Sequence, residues 1–265
     1  MGPIPNPRLN LDVLEPQERY RAVVRSHVDL RLKFLEAKNR CQKCVLKSEF
    51  CVCQRLQEMS QPDPSFTVVA LMNQREQYRS SNTVKVIDGV LGGTTLINGV
   101  DEDERKFKEL LEEYSGRCFV LFPSEDSVEY NQVPAEKLPG SGKVLIIVAD
   151  GTWSQARRLN LKIPSSIPRV KITPTTLSKF LCRRQTRADR VCTVEALSLL
   201  LNDMGKCEAA TLLDQGLECL VEHFNMQVFG TVLRPESMLK DKPHKVDGQS
   251  TLPPRHPDSL IDVSL

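Results

Sequence analysis

The chain has 265 residues, 40% of them hydrophobic and 26% charged, with a formal net charge of +2; this is globular composition, enough for one or two domains around a sizeable core. No apolar run approaches the roughly 18 to 20 residues of a membrane span, and residues 1–14 lack the apolar centre of a secretory signal. The nine cysteines are not spaced as a secreted disulfide framework, so the expected setting is intracellular, the cytoplasm first and the nucleus also compatible.

The small net charge averages opposed segments. Residues 101–136 carry eleven acidic and four basic side chains, whereas residues 154–190 carry ten basic ones (Arg157, Arg158, Lys162, Arg169, Lys171, Lys179, Arg183, Arg184, Arg187 and Arg190) against Asp189 alone. A basic stretch this dense suits a polyanion.

In chain order, residues 17–38 place Tyr20, Val23, Val24, Val28, Leu32 and Leu35 at helical spacing among charged residues, predicting an amphipathic helix. A cysteine cluster and a linker over residues 61–65 follow. Then short apolar runs alternate with helical patterns: FTVVALM as a strand, a helix over residues 82–91, TTLI as a strand, DERKFKELLEEY as a helix and CFVLF as a strand. VLIIVA reads as the most deeply buried strand, with a helix over 152–159, RVKI as a further strand, and helices over 193–202 and 208–228. This alternation predicts an α/β fold, a mostly parallel sheet flanked by helices, in which ligands lie beyond the strands' carboxyl ends. The expected division is an N-terminal helix and zinc knuckle over residues 1–60, the α/β domain over 61–234, and a polar, Pro-rich tail over 235–265. No internal repeat is present.

The string RCQKCVLKSEFCVCQ sets Cys41, Cys44, Cys51 and Cys53 in a C-x2-C-x6-C-x-C pattern. Four thiolates can surround one tetrahedral ion, with zinc the first choice and a structural role because no coordination position stays open. Four unrelated thiols and a redox C-x2-C pair are the alternatives, although a lone pair leaves Cys51 and Cys53 unexplained. Cys118, Cys182, Cys207 and Cys219 are expected to pack as small hydrophobes, and no histidine pairs with the cluster at metal spacing.

The VLIIVA strand runs into DGTWSQARRL. Asp150 therefore falls at the carboxyl edge of the sheet, Gly151 permits a sharp turn, and Thr152 with Gln155 forms a T-x-x-Q capping box. The helix amides that follow favour an anionic ligand, and Trp153 either packs under the turn or stacks on a ligand ring. A plain turn with a plain cap is the alternative.

The DGTWSQA block resembles the signature of the DTW-domain family of tRNA-uridine aminocarboxypropyltransferases. The resemblance runs from about Arg40 to Val228: the cysteine cluster comes first, and four ordered blocks follow, QREQYRSSNT (residues 74–83), LFPSED (121–126), DGTWSQA (150–156) and LCRRQTRADRVCTVEAL (181–197). The chain departs from it in two places: Asn73, Gln74 and Arg75 stand where many relatives carry His-Pro or His-Arg, and Cys192 stands where Ser is usual. The resemblance implies a SPOUT-like fold and transfer of the 3-amino-3-carboxypropyl group of S-adenosylmethionine to N3 of uridine in tRNA. Asp150 is then the candidate base or orienting group. Ser80, Asn82, Thr83, Pro123, Ser124, Glu125, Gly151, Thr152, Trp153, Thr193 and Glu195 are the candidate cofactor contacts, Arg79 is a further option, and Glu195 equally suits the dipole at the N-terminus of its helix. Lys179, Arg183, Arg184, Arg187 and Arg190 are the candidate tRNA phosphate contacts. A SPOUT-like RNA methyltransferase and a non-catalytic zinc-knuckle RNA-binding protein stay open as other readings, and the oligomeric state is not legible.

Overall fold

The architecture follows from strands too apolar to face water on either side. This computed structural model describes residues 15–133, 142–174, 178–180, 182 and 191–231. Among them are six strands and seven α-helices: α1 (Pro16–Ala37), α2 (Cys53–Glu58), β1 (Phe66–Met72), α3 (Val84–Leu91), β2 (Thr94–Ile97), α4 (Asp101–Glu113), β3 (Cys118–Leu121), β4 (Val128–Glu129), β5 (Val144–Asp150), α5 (Trp153–Asn160), β6 (Arg169–Lys171), α6 (Thr193–Asp203) and α7 (Cys207–Phe229). The strands form one sheet in the order β2-β1-β5-β3-β6-β4, and every pairing is parallel.

Parallel strands need crossover helices, and these cover both faces. Alternate side chains of the central strands divide cleanly. Val68, Ala70, Met72, Phe119, Ile146 and Val148 share one apolar cluster with α3, α6, α7 and the cysteine knuckle, through residues such as Val86, Leu200, Leu217 and Leu46. Val69, Leu71, Val120, Leu145 and Ile147 face Phe107 of α4 and Ala156 and Leu159 of α5. Leu145, Ile146 and Ile147 have no exposed surface, and each such side chain contributes about 1.5–3 kcal/mol through burial.

The predicted elements are present close to their expected limits. Two were not anticipated: α2, which begins at a cluster cysteine and buries only Leu56, and the two-residue strand β4. The amphipathic helix α1 buries Val24 and Leu35 and is tied to the start of α4 by Arg21, whose Nε lies 3.0 Å from Asp101, and to the loop after β2 by Asn98, whose amide donates to Tyr20 Oη at 2.8 Å. Gly99 sits under this contact with φ +93°, where a Cβ would meet the Tyr20 ring at 2.7 Å. Of the scattered cysteines, Cys118 and Cys219 are buried as expected, whereas Cys207, the first residue of α7, is exposed. It opens α7 ahead of Ala209, the first buried residue of that helix. Among the described residues no helix is long and apolar enough to cross a membrane. The tail expected over residues 235–265 lies outside the described residues.

Candidate functional site

The chain leaves β1 for one edge of the sheet and reaches β3 on the other side, and β5 then fills the gap between them. Such a switch point opens a crevice at the carboxyl ends. The register sets Met72 opposite Asp150, and the Asn73 amide donates to the Asp150 carbonyl at 3.0 Å. The loop following β1 therefore starts beside the last residue of β5, which is why two blocks some seventy residues apart in sequence meet.

Asp150 is buried, 5% exposed. Its Oδ2 accepts from Asn82 Nδ2 at 2.6 Å and its Oδ1 from Thr193 Oγ1 at 2.7 Å, so one carboxylate joins β5, the loop before α3 and the first residue of α6. Asn82 also uses its Oδ1 to accept the Val84 amide at 2.9 Å, satisfying an open donor at the start of α3. These residues line a cavity of about 170 Å³. Its apolar wall includes Leu121, Phe122, Val148, Ala149, Ala156 and Phe180, and its polar wall Glu76, Ser81, Thr83, Thr152 and Thr193.

The turn after β5 is built as the capping box requires. Thr152 caps α5 in an extended conformation; its amide donates to Gln155 Oε1 at 2.7 Å and its hydroxyl accepts the Gln155 amide at 3.4 Å. Gln155 folds over Gly151, where a Cβ would lie 2.8 Å from the Gln155 Cβ. Trp153 stands on the cavity wall with 44% of its surface exposed.

Asn82, Thr83, Pro123, Gly151, Thr152, Trp153 and Thr193 of the candidate contacts thus meet Asp150 on this wall. Four others do not belong to it. The Ser80 carbonyl accepts from Lys85 at 3.1 Å; Ser124 closes a tight turn, its amide donating to Ser127 Oγ at 3.1 Å and its hydroxyl to Asp126 at 2.7 Å; Glu125 is exposed. Glu195 accepts the Cys192 amide at 2.8 Å, the Ser178 hydroxyl at 2.7 Å and the Lys179 amide at 2.6 Å. It therefore caps α6 and anchors residues 178–180 to it.

Glu76, Phe180 and Cys192 complete the wall without having been singled out for it. Glu76 is 5% exposed, and its Oε2 lies 3.4 Å from Arg79 Nε. Burial, followed by the Glu195 charge, raises the Cys192 thiol well above its ordinary value, which leaves it a neutral wall residue.

Of the candidate phosphate contacts, the ammonium of Lys179 is exposed beside Glu218 at 3.8 Å, while Arg183, Arg184, Arg187 and Arg190 lie outside the described residues. Arg169, counted in the basic stretch, is not a surface cation. It is 7% exposed and donates to the carbonyls of Asn160, Ile163, Pro164 and Ile167 at 2.6–3.2 Å, stitching the end of α5 to the loop before β6.

The four cluster cysteines bring their sulfur atoms within 4.8 Å of one another, with Cys41 to Cys53 at 3.6 Å and Cys44 to Cys51 at 3.7 Å. A zinc–sulfur bond of about 2.3 Å in a tetrahedron separates sulfurs by about 3.8 Å, so the donor set fits a zinc ion held by four thiolates. Lys85 reaches the knuckle from α3: its Nζ donates to the Cys44 carbonyl, and burial pushes the ammonium down to about 8 against an opposing electrostatic pull led by Cys44. His223 stays apart from the thiols; its Nδ1 meets the Phe50 carbonyl at 3.2 Å.

A family model described as the DTW domain matches residues 38–225. The tRNA-uridine aminocarboxypropyltransferase 2 of Drosophila melanogaster is 25% identical over 176 residues, which cover 62% of this chain and 66% of the relative. The chain spans just under two thirds of that relative's length. No solved structure matches this chain.

Proposed function

Because the chain belongs to the DTW domain family, we propose that it transfers the 3-amino-3-carboxypropyl group of S-adenosylmethionine to N3 of a uridine in tRNA. The observation that carries this reading is the buried Asp150 carboxylate, gripped by Asn82 and Thr193 at the carboxyl edge of the sheet beside a cavity of mixed character. The donor supplies an electrophilic methylene next to its sulfonium; the uracil nitrogen forms the new bond and gives up its proton, and methylthioadenosine leaves.

The residues present fit such a donor. Phe122, Pro123 and Phe180 offer apolar surface for an adenosine, and the carboxylates of Glu76 and Asp150 offer negative charge to a molecule bearing an ammonium and a sulfonium. The amides of Trp153 and Ser154, in the first turn of α5, suit the donor's carboxylate. Asp150 then orients the uracil by accepting from N3–H and receives the proton as the bond forms, and holding the two reactants in line supplies much of the acceleration. The exposed Trp153 stacks on the incoming base. Lys179, Arg183, Arg184, Arg187 and Arg190 hold tRNA phosphates, and the zinc ion held by Cys41, Cys44, Cys51 and Cys53 is structural.

The test is incubation of the purified chain with uridine-containing tRNA and S-adenosylmethionine labelled in the carboxypropyl arm, followed by nucleoside mass spectrometry. Arm label in the nucleoside together with released methylthioadenosine is the expected result. Release of S-adenosylhomocysteine instead identifies methyl transfer, and failure to bind the donor in calorimetry identifies an RNA-binding module without this chemistry.

A further inference from the structure

Lys85 is the second residue of α3, in the first turn, where the helix dipole disfavours a cation. Its half-buried ammonium nevertheless lies among three backbone carbonyls: those of Cys44, Ser80 at 3.1 Å and Arg79 at 3.2 Å. An ammonium has three protons to donate, and here each has an acceptor. Two acceptors belong to the loop that continues directly into Ser81, Asn82 and Thr83 on the cavity wall; the third belongs to a cysteine of the knuckle. No neutral side chain of this length donates to three carbonyls at once. Four thiolates around one divalent ion carry a net charge of −2, so a filled knuckle also offsets the half-buried cation.

We propose that Lys85 is a positioning residue that locks the loop of residues 79–83 to the cysteine knuckle, so that metal in the knuckle strengthens binding of the small-molecule donor in the cavity. This rests on reading the knuckle as a zinc site and the cavity as the S-adenosylmethionine site. With the metal in place the Cys44 carbonyl has a fixed position, and through Lys85 so does the backbone that presents Asn82 to Asp150. Without it the knuckle relaxes and the loop loses its anchor. Binding linkage makes the effect reciprocal: the donor slows loss of the metal by the same coupling.

The experiment compares the full-length chain with Lys85→Met and Lys85→Arg, each zinc-loaded and zinc-depleted, measuring S-adenosylmethionine affinity by calorimetry and zinc release to a chromogenic chelator. Expected for the unaltered chain is at least about fivefold weaker donor binding after zinc removal, within the usual range of coupled sites. Zinc-loaded Lys85→Met is expected to keep one zinc per chain, bind the donor at least about fivefold more weakly and show no further response to zinc; Lys85→Arg restores part of the response. Equal donor affinity in zinc-loaded Lys85→Met and the unaltered chain overturns the inference alone, whereas no donor binding to the zinc-loaded unaltered chain overturns the functional reading and the inference with it. Should zinc removal unfold the chain, hydrogen exchange on the zinc-loaded proteins decides: faster exchange confined to residues 79–83 in Lys85→Met supports the lock, and unchanged exchange there overturns it.

Discussion

Asn82 Nδ2 donates to Asp150 Oδ2 at 2.6 Å while Asn82 Oδ1 accepts the Val84 amide, so one side chain both starts α3 and orients the carboxylate at the end of β5. Replacing either partner separates these duties. Asp150→Asn keeps the shape but puts an amide where the acceptor stood, and transfer activity is expected to fall by about 10²- to 10⁴-fold, the range of acid–base and orienting groups. Asn82→Ala also leaves the helix donor and the carboxylate short of a partner, adding a stability loss of about 1–3 kcal/mol. Full transfer by Asp150→Asn on tRNA that it still binds removes Asp150 from the mechanism.

Asp88, on the next turn of α3, makes stability depend on pH. Burial pushes its carboxyl up to about 6, with a further push from Asp150 and an opposing hydrogen bond from Thr95 Oγ1 at 2.6 Å. Among the described residues its Oδ1 has no hydrogen-bond partner. A raised folded-state value means that the folded chain holds the proton longer, so the stabilising contribution is full below about pH 4 and is lost as pH rises through about 6. At most about 3 kcal/mol is at stake, two pH units at 1.36 kcal/mol each. Asp88→Asn should therefore raise the melting temperature at pH 7 to 8 and flatten its decline between pH 4 and 6 relative to the unaltered chain; parallel melting curves across that window refute it.

The strands were legible because each central one is an apolar run with no polar face to hide, and Asp150 was legible because it ends the most apolar of them. What periodicity cannot carry is the direction of loop side chains. Ser124 lies in the right loop, but its polar groups close a local turn, and Glu195 spends its carboxylate on Cys192, Ser178 and Lys179. Glu76 reaches the wall from a loop with no regular period, and Phe180 comes from a segment held in place by the Glu195 contacts. The short elements α2 and β4 bury too few side chains to leave a pattern.

Arg169 separates charge as composition from charge as surface. Its guanidinium is spent on the carbonyls closing α5 and on Asn160 Oδ1 at 3.2 Å, so it is not available to phosphate. Arg169→Met should destabilise the fold by about 3 kcal/mol or more, since several buried acceptors lose their donor together. Lysine cannot reproduce the fork and should rescue little. On molecules that remain folded, the salt dependence of tRNA binding should not change, whereas neutralising Lys179 and the arginines at 183, 184, 187 and 190 should flatten it. A reduced salt slope in folded Arg169→Met contradicts the buried role.

The cysteine knuckle is continuous with the main core, through Cys44, Leu46, Val52 and Leu56, so a metal there supports more than its own loop. Elemental analysis of the purified chain is expected to give one zinc per molecule, and cobalt substitution the absorption bands of a tetrahedral thiolate site. Because thiolate ligation contributes folding free energy directly, chelation or Cys44→Ser should lower the melting temperature and loosen packing around Leu46 and Leu56, seen as faster hydrogen exchange in α2 and the facing part of α7. Acid should release the metal as the thiolates protonate, and zinc uptake should recover on return to neutral pH. A chain that holds no zinc when purified without chelator, or one whose melting temperature is the same with and without it, rules out the structural metal.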